Sequence, residues 1–328
     1  MTQQQPFRPG RIEDLCIFSG TANRPLAEAI CRQLGITLSP VKVTHLADTE
    51  IHVQVDTLVR HQDVFVVQPC AAPVNDNFME LLLMLDAFRR ASARRVNVVM
   101  PYFPYARQDR MAHGREAISA KLVARALEMA GASRVIYIDI HALQIQGFFD
   151  IPIDTLSAMP VMADYFQDDE ARFPKERTVI VSPDVGRARL AGKYAEQLGL
   201  PLVIMHKRRL SFSETKAANV VGDIEGKTAI LIDDLVAGGS VLDQIPALIE
   251  AGAEPPVYLS ITHSVLLPSA LKRLDREEIA ELVTTDTVHL PADRQHPKIR
   301  VQSIAPLLAE VIARIHGGQS VSPLLRLM

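Results

Sequence analysis

"CIFSGTANRPLAEAICRQLG" (16–35) and "VIVSPDVGRARLAGKYAEQLG" (179–199) run in step. Each opens on a short aliphatic run, reaches a Ser, crosses a loop containing Gly or Pro, and ends in a helical pattern closed by Gln-Leu-Gly. A brief apolar run bounded by turn residues reads as a buried strand, and a Gly after the last helical residue reads as a stop. A second pair of landmarks, "AGASRVIYIDIHA" (130–142) and "AGAEPPVYLSITHS" (251–264), follows in the same order. The spacing predicts a duplicated α/β domain, with one long doubly wound sheet as the alternative. The boundary falls near 150–160, where "GFFDIPIDTLSAMP" interrupts the pattern with Gly147, Pro152 and Pro160.

Further apolar runs fit the same scheme: VFVVQ (64–68), RVNVVM (95–100), TVIVS (178–182), LVIM (202–205) and TAILI (228–232). Strands that alternate with helical segments indicate a mainly parallel sheet. Residues 75–92 read as a helix with Asn/Asp caps and a basic end, and residues 118–132 as one capped by Ser119 and stopped at Gly131. The last helical segment, 303–317, has no counterpart in the first half and is expected to pack back on the N-terminal domain.

Bulk composition narrows the class. A 48% hydrophobic content with 22% charged residues over 328 residues suits a globular protein of about two domains. The net charge of −3 argues against nucleic acid as a partner, so anion binding must be local. No apolar run approaches a membrane span and the N-terminus lacks a leader-like core, which predicts a cytoplasmic protein with no membrane partner. Cys16, Cys31 and Cys70 lack metal-ligand spacing and read as thiols of a reducing compartment.

In open α/β sheets, ligands sit beyond the carboxyl ends of the strands. "AILIDDLVAGGSVLDQI" (229–245) is such a loop. Gly238 and Gly239 would let backbone N–H groups converge on an anion, and Ser240 would add a hydroxyl and open a helix. Asp233 and Asp234 cannot hold a phosphate but suit a cis-diol, so the stretch describes a ribose 5-phosphate group; the plainer reading is an ordinary helix cap. Pro246 lies too far on for a clean first turn from Ser240, so the helix is kinked there or starts nearer Asp243. Arg107, Arg110 and Arg115 within nine residues after a strand favour phosphate over a solvated turn.

The stretch IDDLVAGGS resembles the phosphoribosyl-diphosphate binding motif of phosphoribosyltransferases and ribose-phosphate pyrophosphokinases. "PVNDNFMELLLMLDAFRRASARRVNVVMPYFPYARQDR", "YIDIHALQIQGFFDIPID", "KRR" (207–209) and "IEGKTAILIDD" are similar to the pyrophosphokinases, from about residue 15 to the end. The resemblance implies two duplicated phosphoribosyltransferase-like α/β domains, each a mainly parallel sheet flanked by helices, over 1–155 and 156–328. It implies transfer of the diphosphoryl group of Mg-ATP to the anomeric hydroxyl of ribose 5-phosphate, with Mg²⁺ as cofactor. On that reading Arg107, Gln108, Asp109 and Arg110 hold the nucleotide, and Asp48 and Glu50 meet the adenine from a neighbouring subunit. His141 and Asp184 lie at the metal. Asp184, Asp233, Asp234, Ala237, Gly238, Gly239 and Ser240 take the ribose 5-phosphate, while Lys207 and Arg209 close a mobile loop over the transferring group. His263 looks like the duplicate of His141. The implied assembly is a homo-oligomer built from dimers, commonly a hexamer.

Four stretches depart from the family pattern. Asp-Asp-Leu-Val runs directly into Ala-Gly-Gly-Ser, one residue short. Val185-Gly186 replaces a His-Gly-Gly run in a loop about two residues shorter. Leu46 stands where a base-stacking Phe is common, and Leu210 and Ser211 stand where Pro and Arg are usual. Two alternatives therefore accompany the diphosphotransferase: a non-catalytic homologue that assembles with an active one, and a phosphoribosyltransferase.

Overall fold

Two mainly parallel sheets absorb the apolar runs. The computed structural model describes residues 14–206 and 219–325, and the chain forms two units. Unit 1 takes the described residues up to 157 with 287–289 and 304–325, and unit 2 takes 158–286 and 290–303.

Unit 1 runs β1 (Leu15–Ser19), α1 (Arg24–Leu34), a hairpin of β2 (Lys42–His45) and β3 (Ile51–Gln54), β4 (Asp63–Val67), α2 (Val74–Arg90), β5 (Arg95–Val99), α3 (Ser119–Ala130), β6 (Arg134–Ile138) and β7 (Ile153–Leu156). Its sheet has the order β1-β4-β5-β6-β7, parallel throughout. Unit 2 runs α4 (Met159–Gln167), β8 (Thr178–Ser182), α5 (Ala188–Leu198), β9 (Leu202–His206), β10 (Asn219–Val221), β11 (Thr228–Val236), α6 (Ile245–Glu250), β12 (Glu254–Ser264), α7 (Pro268–Leu274), β13 (Ile279–Thr285) and β14 (Ile299–Gln302). Its order is β10-β9-β8-β11-β12-β13-β14, with β10 antiparallel to β9 and the other pairs parallel. The last helix, α8 (Ala305–His316), belongs to unit 1 and packs on α1.

Strands β4 and β8 are buried at every position, as continuous apolar runs in doubly covered parallel sheets require. The repeat's Gln-Leu-Gly endings do the same work in both units: Gly35 and Gly199 close α1 and α5 in the left-handed region, at φ 70° and 65°. At its start α1 has Asn23, whose side chain accepts the Leu26 N–H, and Pro25 in its first turn.

Strand order matches β1, β4, β5, β6 and β7 with β8, β11, β12, β13 and β14. The first pair of sequence landmarks falls on the matching strands β1 and β8. The second does not, because 134–138 form β6 whereas 254–264 form β12, the counterpart of β5. His263 lies inside β12 and is 4% exposed. It is therefore not the positional duplicate of His141; "AGA" before a strand is a helix-ending signal that recurs wherever a helix feeds a strand.

Cap expectations shift too. Pro73 precedes α2, so Asn75 and Asp76 lie in its first turn, where an acid complements the helix dipole. Ser119 is the first residue of α3 rather than its cap. All three cysteines are free thiols; Cys31 and Cys70 are buried, and burial pushes the Cys31 thiol up to about 11. Among the described residues no helix is long and apolar enough to cross a membrane.

Candidate active site

Strand order in unit 2 reverses at β8. From β8 the chain crosses through α5 to β9 on one side, while β11 lies on the other. Crevices at such switch points are where open α/β sheets take ligands. Two loops meet there, following β8 and β11.

Strand β11 outruns β8. Its pairing with β8 ends at Leu231↔Val181, while pairing with β12 continues to Val236↔Ser264. Asp233 and Asp234 thus belong to the strand, on the stretch whose β8-side edge is open, and not to the loop as the sequence reading had it. Across that edge Arg187 reaches both acids. Its Nε lies 3.4 Å from Asp233 Oδ1, and its Nη2 lies 3.2 Å from Asp234 Oδ1. The Asp234 N–H donates to Asp233 Oδ1 at 2.8 Å. Burial, and then the Asp234 charge, push the Asp233 carboxyl above the usual carboxylate range, with Arg187 opposing.

After β8, Ser182 Oγ donates to the Asp184 carbonyl at 2.7 Å, and Asp184 caps a single tight turn, 185–187. The Asp184 carboxylate accepts the Arg187 N–H at 3.0 Å. Its reading as a helix cap and as a site acid are therefore compatible. Arg187 was not among the residues singled out in the sequence, although an Arg three residues past the Asp at a strand end was the available signal.

Ala237 to Ser240 leave the strand in a bend braced by the start of α7. The Ala237 carbonyl accepts the Leu267 N–H at 3.0 Å, and the Gly238 carbonyl accepts from Ser269 Oγ at 3.0 Å and Arg273 Nη1 at 2.8 Å. Gly239 has φ 92°, and a Cβ there would lie 3.0 Å from Ala270 Cα and from Arg273 Cδ. A Cβ on Gly238 would meet nothing within 4 Å. The two glycines therefore have different reasons: Gly239 is demanded by the fold, Gly238 leaves open space where a ligand backbone contact could form. Gly239→Val should lower stability by about 1–3 kcal/mol, whereas Gly238→Ala should leave the melting temperature unchanged in thermal denaturation. Ser240 is exposed and does not open a helix. The chain makes a tight turn over 242–244, and α6 begins at Ile245 with Pro246 in its first turn, where a missing N–H is tolerated.

In unit 1, the segments after the adjacent strands β5 and β6 come together. Arg107, Gln108 and Arg110 are exposed after β5, and no carboxylate pairs with either arginine, or with the exposed Arg115, among the described residues. Gln108 is fixed from three sides: its N–H donates to the Tyr105 carbonyl at 2.8 Å, its carbonyl accepts the Ala120 N–H at 3.2 Å, and its Oε1 accepts from Ser119 Oγ at 2.6 Å. Asp109 accepts a hydrogen bond from Gln144, which lies just past His141 in the turn after β6. That bond ties the arginine segment to the histidine segment.

Asp48 and Glu50 stand apart from these groups at the exposed tip of the β2–β3 hairpin, with Leu46 also exposed. The tip closes on itself: Glu50 N–H donates to Asp48 Oδ1 at 3.2 Å, and Leu46 N–H to the Glu50 carbonyl at 2.8 Å. No hydrogen bond or ion pair among the described residues joins the tip to the segments after β5 and β6. Among the described residues no three His, Cys, Asp or Glu side chains cluster as a metal cage. Lys207, Arg209, Leu210 and Ser211 lie outside the described residues.

Two units built on sheets of matching strand order, one with an acid pair and a glycine bend at its switch point, define an α/β protein with a candidate ligand crevice. Comparison with known proteins narrows this. Residues 15–131 match the family model for the N-terminal domain of ribose phosphate pyrophosphokinase, and residues 210–326 match that of the phosphoribosyl synthetase-associated domain. The chain is 48% identical over 311 residues to ribose-phosphate pyrophosphokinase 2 of Enterococcus faecalis, covering 94% of this chain and 95% of that one. It is 47% identical to the ribose-phosphate pyrophosphokinase of Caldanaerobacter subterraneus subsp. tengcongensis, covering 94% and 97%. Its structure superposes on the phosphoribosylpyrophosphate synthetase of Mycobacterium smegmatis with a TM-score of 0.87 at 40% identity, over 93% of this chain and 100% of that chain. The chain belongs to the ribose-phosphate pyrophosphokinase family.

Proposed function

We infer that this protein transfers the β,γ-diphosphoryl group of ATP to the anomeric hydroxyl of ribose 5-phosphate, giving 5-phosphoribosyl 1-diphosphate and AMP. The observation that carries the reading is the acid pair beside the glycine bend at the unit 2 switch point, in a chain of this family. The sugar's cis-diol would be held by Asp233 and Asp234, and its phosphate by the amides of Ala237 to Ser240. With α6 beginning only at Ile245, the phosphate would rest on the bend and not on a helix end.

The nucleotide would lie over Arg107, Gln108, Asp109 and Arg110, whose exposed arginines are available for phosphate. Asp48 and Glu50 would reach the adenine of a neighbouring subunit in a dimer-based homo-oligomer, commonly a hexamer; their exposed, self-closed hairpin supports that role. The anomeric oxygen would attack the β-phosphorus in line, its proton passing to solvent, while the bond from β-phosphorus to the AMP oxygen breaks. Lys207 and Arg209, outside the described residues, would supply positive charge to the transfer.

Asp184 would offer a hard carboxylate at a strand end to Mg²⁺ arriving with nucleotide phosphates; Mg²⁺ characteristically takes one or two carboxylates plus phosphate oxygens. When bound it neutralises charge on the diphosphoryl oxygens. A cytoplasmic setting fits substrates of this kind.

Purified protein supplied with ATP, Mg²⁺ and ribose 5-phosphate should release AMP in proportion to ribose 5-phosphate. No AMP release, or release independent of the sugar, would overturn the assignment. Gly238→Ala should raise the KM for ribose 5-phosphate by about tenfold through the space it closes, with the KM for ATP unmoved.

A further inference from the structure

We propose that Arg187 is the positioning residue of the ribose site: its guanidinium bridges Asp233 and Asp234 and presents them together to the sugar diol. The inference rests on the reading that these acids bind the diol. Arg187 is the point where the two loops of the switch point meet. Its main chain donates to Asp184, and its side chain spans both acids of β11.

Two neighbouring carboxylates repel, and these are poorly screened: the side chains of Asp233 and Asp234 are 16% and 6% exposed, that of Arg187 19%. Asp233 and Asp234 are consecutive residues of an extended strand, whose side chains leave on opposite faces. A diol needs them brought to one side. A planar fork with several donors can hold two carboxylates at once across an open strand edge, whereas an ammonium is a single point charge. The edge is open because β8 stops at Ser182 and the chain turns there, and that turn sets Arg187 opposite the acids.

The role is tested by steady-state kinetics on the full-length chain, with the KM of each substrate measured separately. Arg187→Ala should raise the KM for ribose 5-phosphate about tenfold or more, the worth of a lost charge-assisted contact, with the KM for ATP changed by less than about twofold. Arg187→Lys should recover part of the loss, because it restores charge without the fork. An unchanged ribose 5-phosphate KM in Arg187→Ala, or an equal rise for both substrates, would overturn the proposal. Should the alanine variant fail to fold, Arg187→Lys decides alone: it must weaken ribose 5-phosphate selectively, and an unchanged or unselective result overturns the idea.

Asp233→Asn separates this proposal from the reading beneath it. If Asp233→Asn raises the ribose 5-phosphate KM and Arg187→Ala does not, the positioning role fails while the diol assignment stands. If neither variant moves that KM, both fail.

Discussion

Asp63→Ala should lower the stability of unit 1 by about 3–5 kcal/mol. Asp63 opens β4 and is 0% exposed. Its Oδ1 accepts from Arg95 Nε at 3.1 Å and Asn97 Nδ2 at 2.9 Å, while its Oδ2 faces a second Arg95 nitrogen and, at 3.0 Å, His316 Nδ1. Four contacts from three residues converge on one buried carboxylate. Removing it takes one of the two acceptors of the Asn97 amide, which is 1% exposed and keeps only its bond to the Val64 carbonyl at 3.1 Å, and leaves Arg95 without its carboxylate. His316 ends α8, so the same carboxylate also anchors the last helix to the start of β4. Thermal denaturation followed by circular dichroism should record a fall on the order of 10 °C. His316→Ala removes one contact of the four and should give a smaller fall. A melting temperature within about two degrees of the parent for Asp63→Ala would mean the network contributes little.

That network was invisible in the sequence, and the reason is physical. Asp63 and His316 are 253 positions apart, and no local pattern marks a buried acid at the head of a strand. Legible features were those that repeat at short range. Fully apolar runs gave the strands, and Gln-Leu-Gly gave the ends of α1 and α5, because a left-handed residue at a helix end has a compositional signature. Where one signal served two contexts, the reading slipped. "AGA" before a strand matched β6 with β12, although sheet order pairs β6 with β13. Ser119 looked like a cap, but its hydroxyl is engaged by Gln108, a tertiary partner that no helix rule anticipates.

At the site, residue types were more legible than their settings. The acid pair and glycines of 233–239 stood out as chemistry without a secondary-structure reason. Their division between strand and bend did not, since it depends on how far β11 outruns β8. Arg187 escaped notice for the same cause. Its function follows from lying across an open strand edge, and edges are a property of neighbouring strands rather than of the residue's own segment.

The largest functional effect should appear as a substrate preference. On the proposed assignment, Asp233 and Asp234 accept the 2- and 3-hydroxyls, so 2-deoxyribose 5-phosphate should be used with a kcat/KM about three orders of magnitude below that of ribose 5-phosphate. Burial sets this magnitude. Asp234 is 4% exposed, and a largely desolvated carboxylate that loses its hydroxyl donor regains little from water. A hydrogen bond to a charged group contributes about 1.5–3 kcal/mol by itself, and the stranded acceptor adds to the penalty. Deleting an acid removes the penalty along with the contact. Asp234→Ala should therefore depress turnover of ribose 5-phosphate while leaving that of the deoxy sugar little changed, bringing the ratio to within about tenfold. Measured kcat/KM values for both sugars on the parent, Asp233→Ala and Asp234→Ala check this directly. A preference as strong in both variants as in the parent would put the diol on other residues and return the acid pair to a structural role.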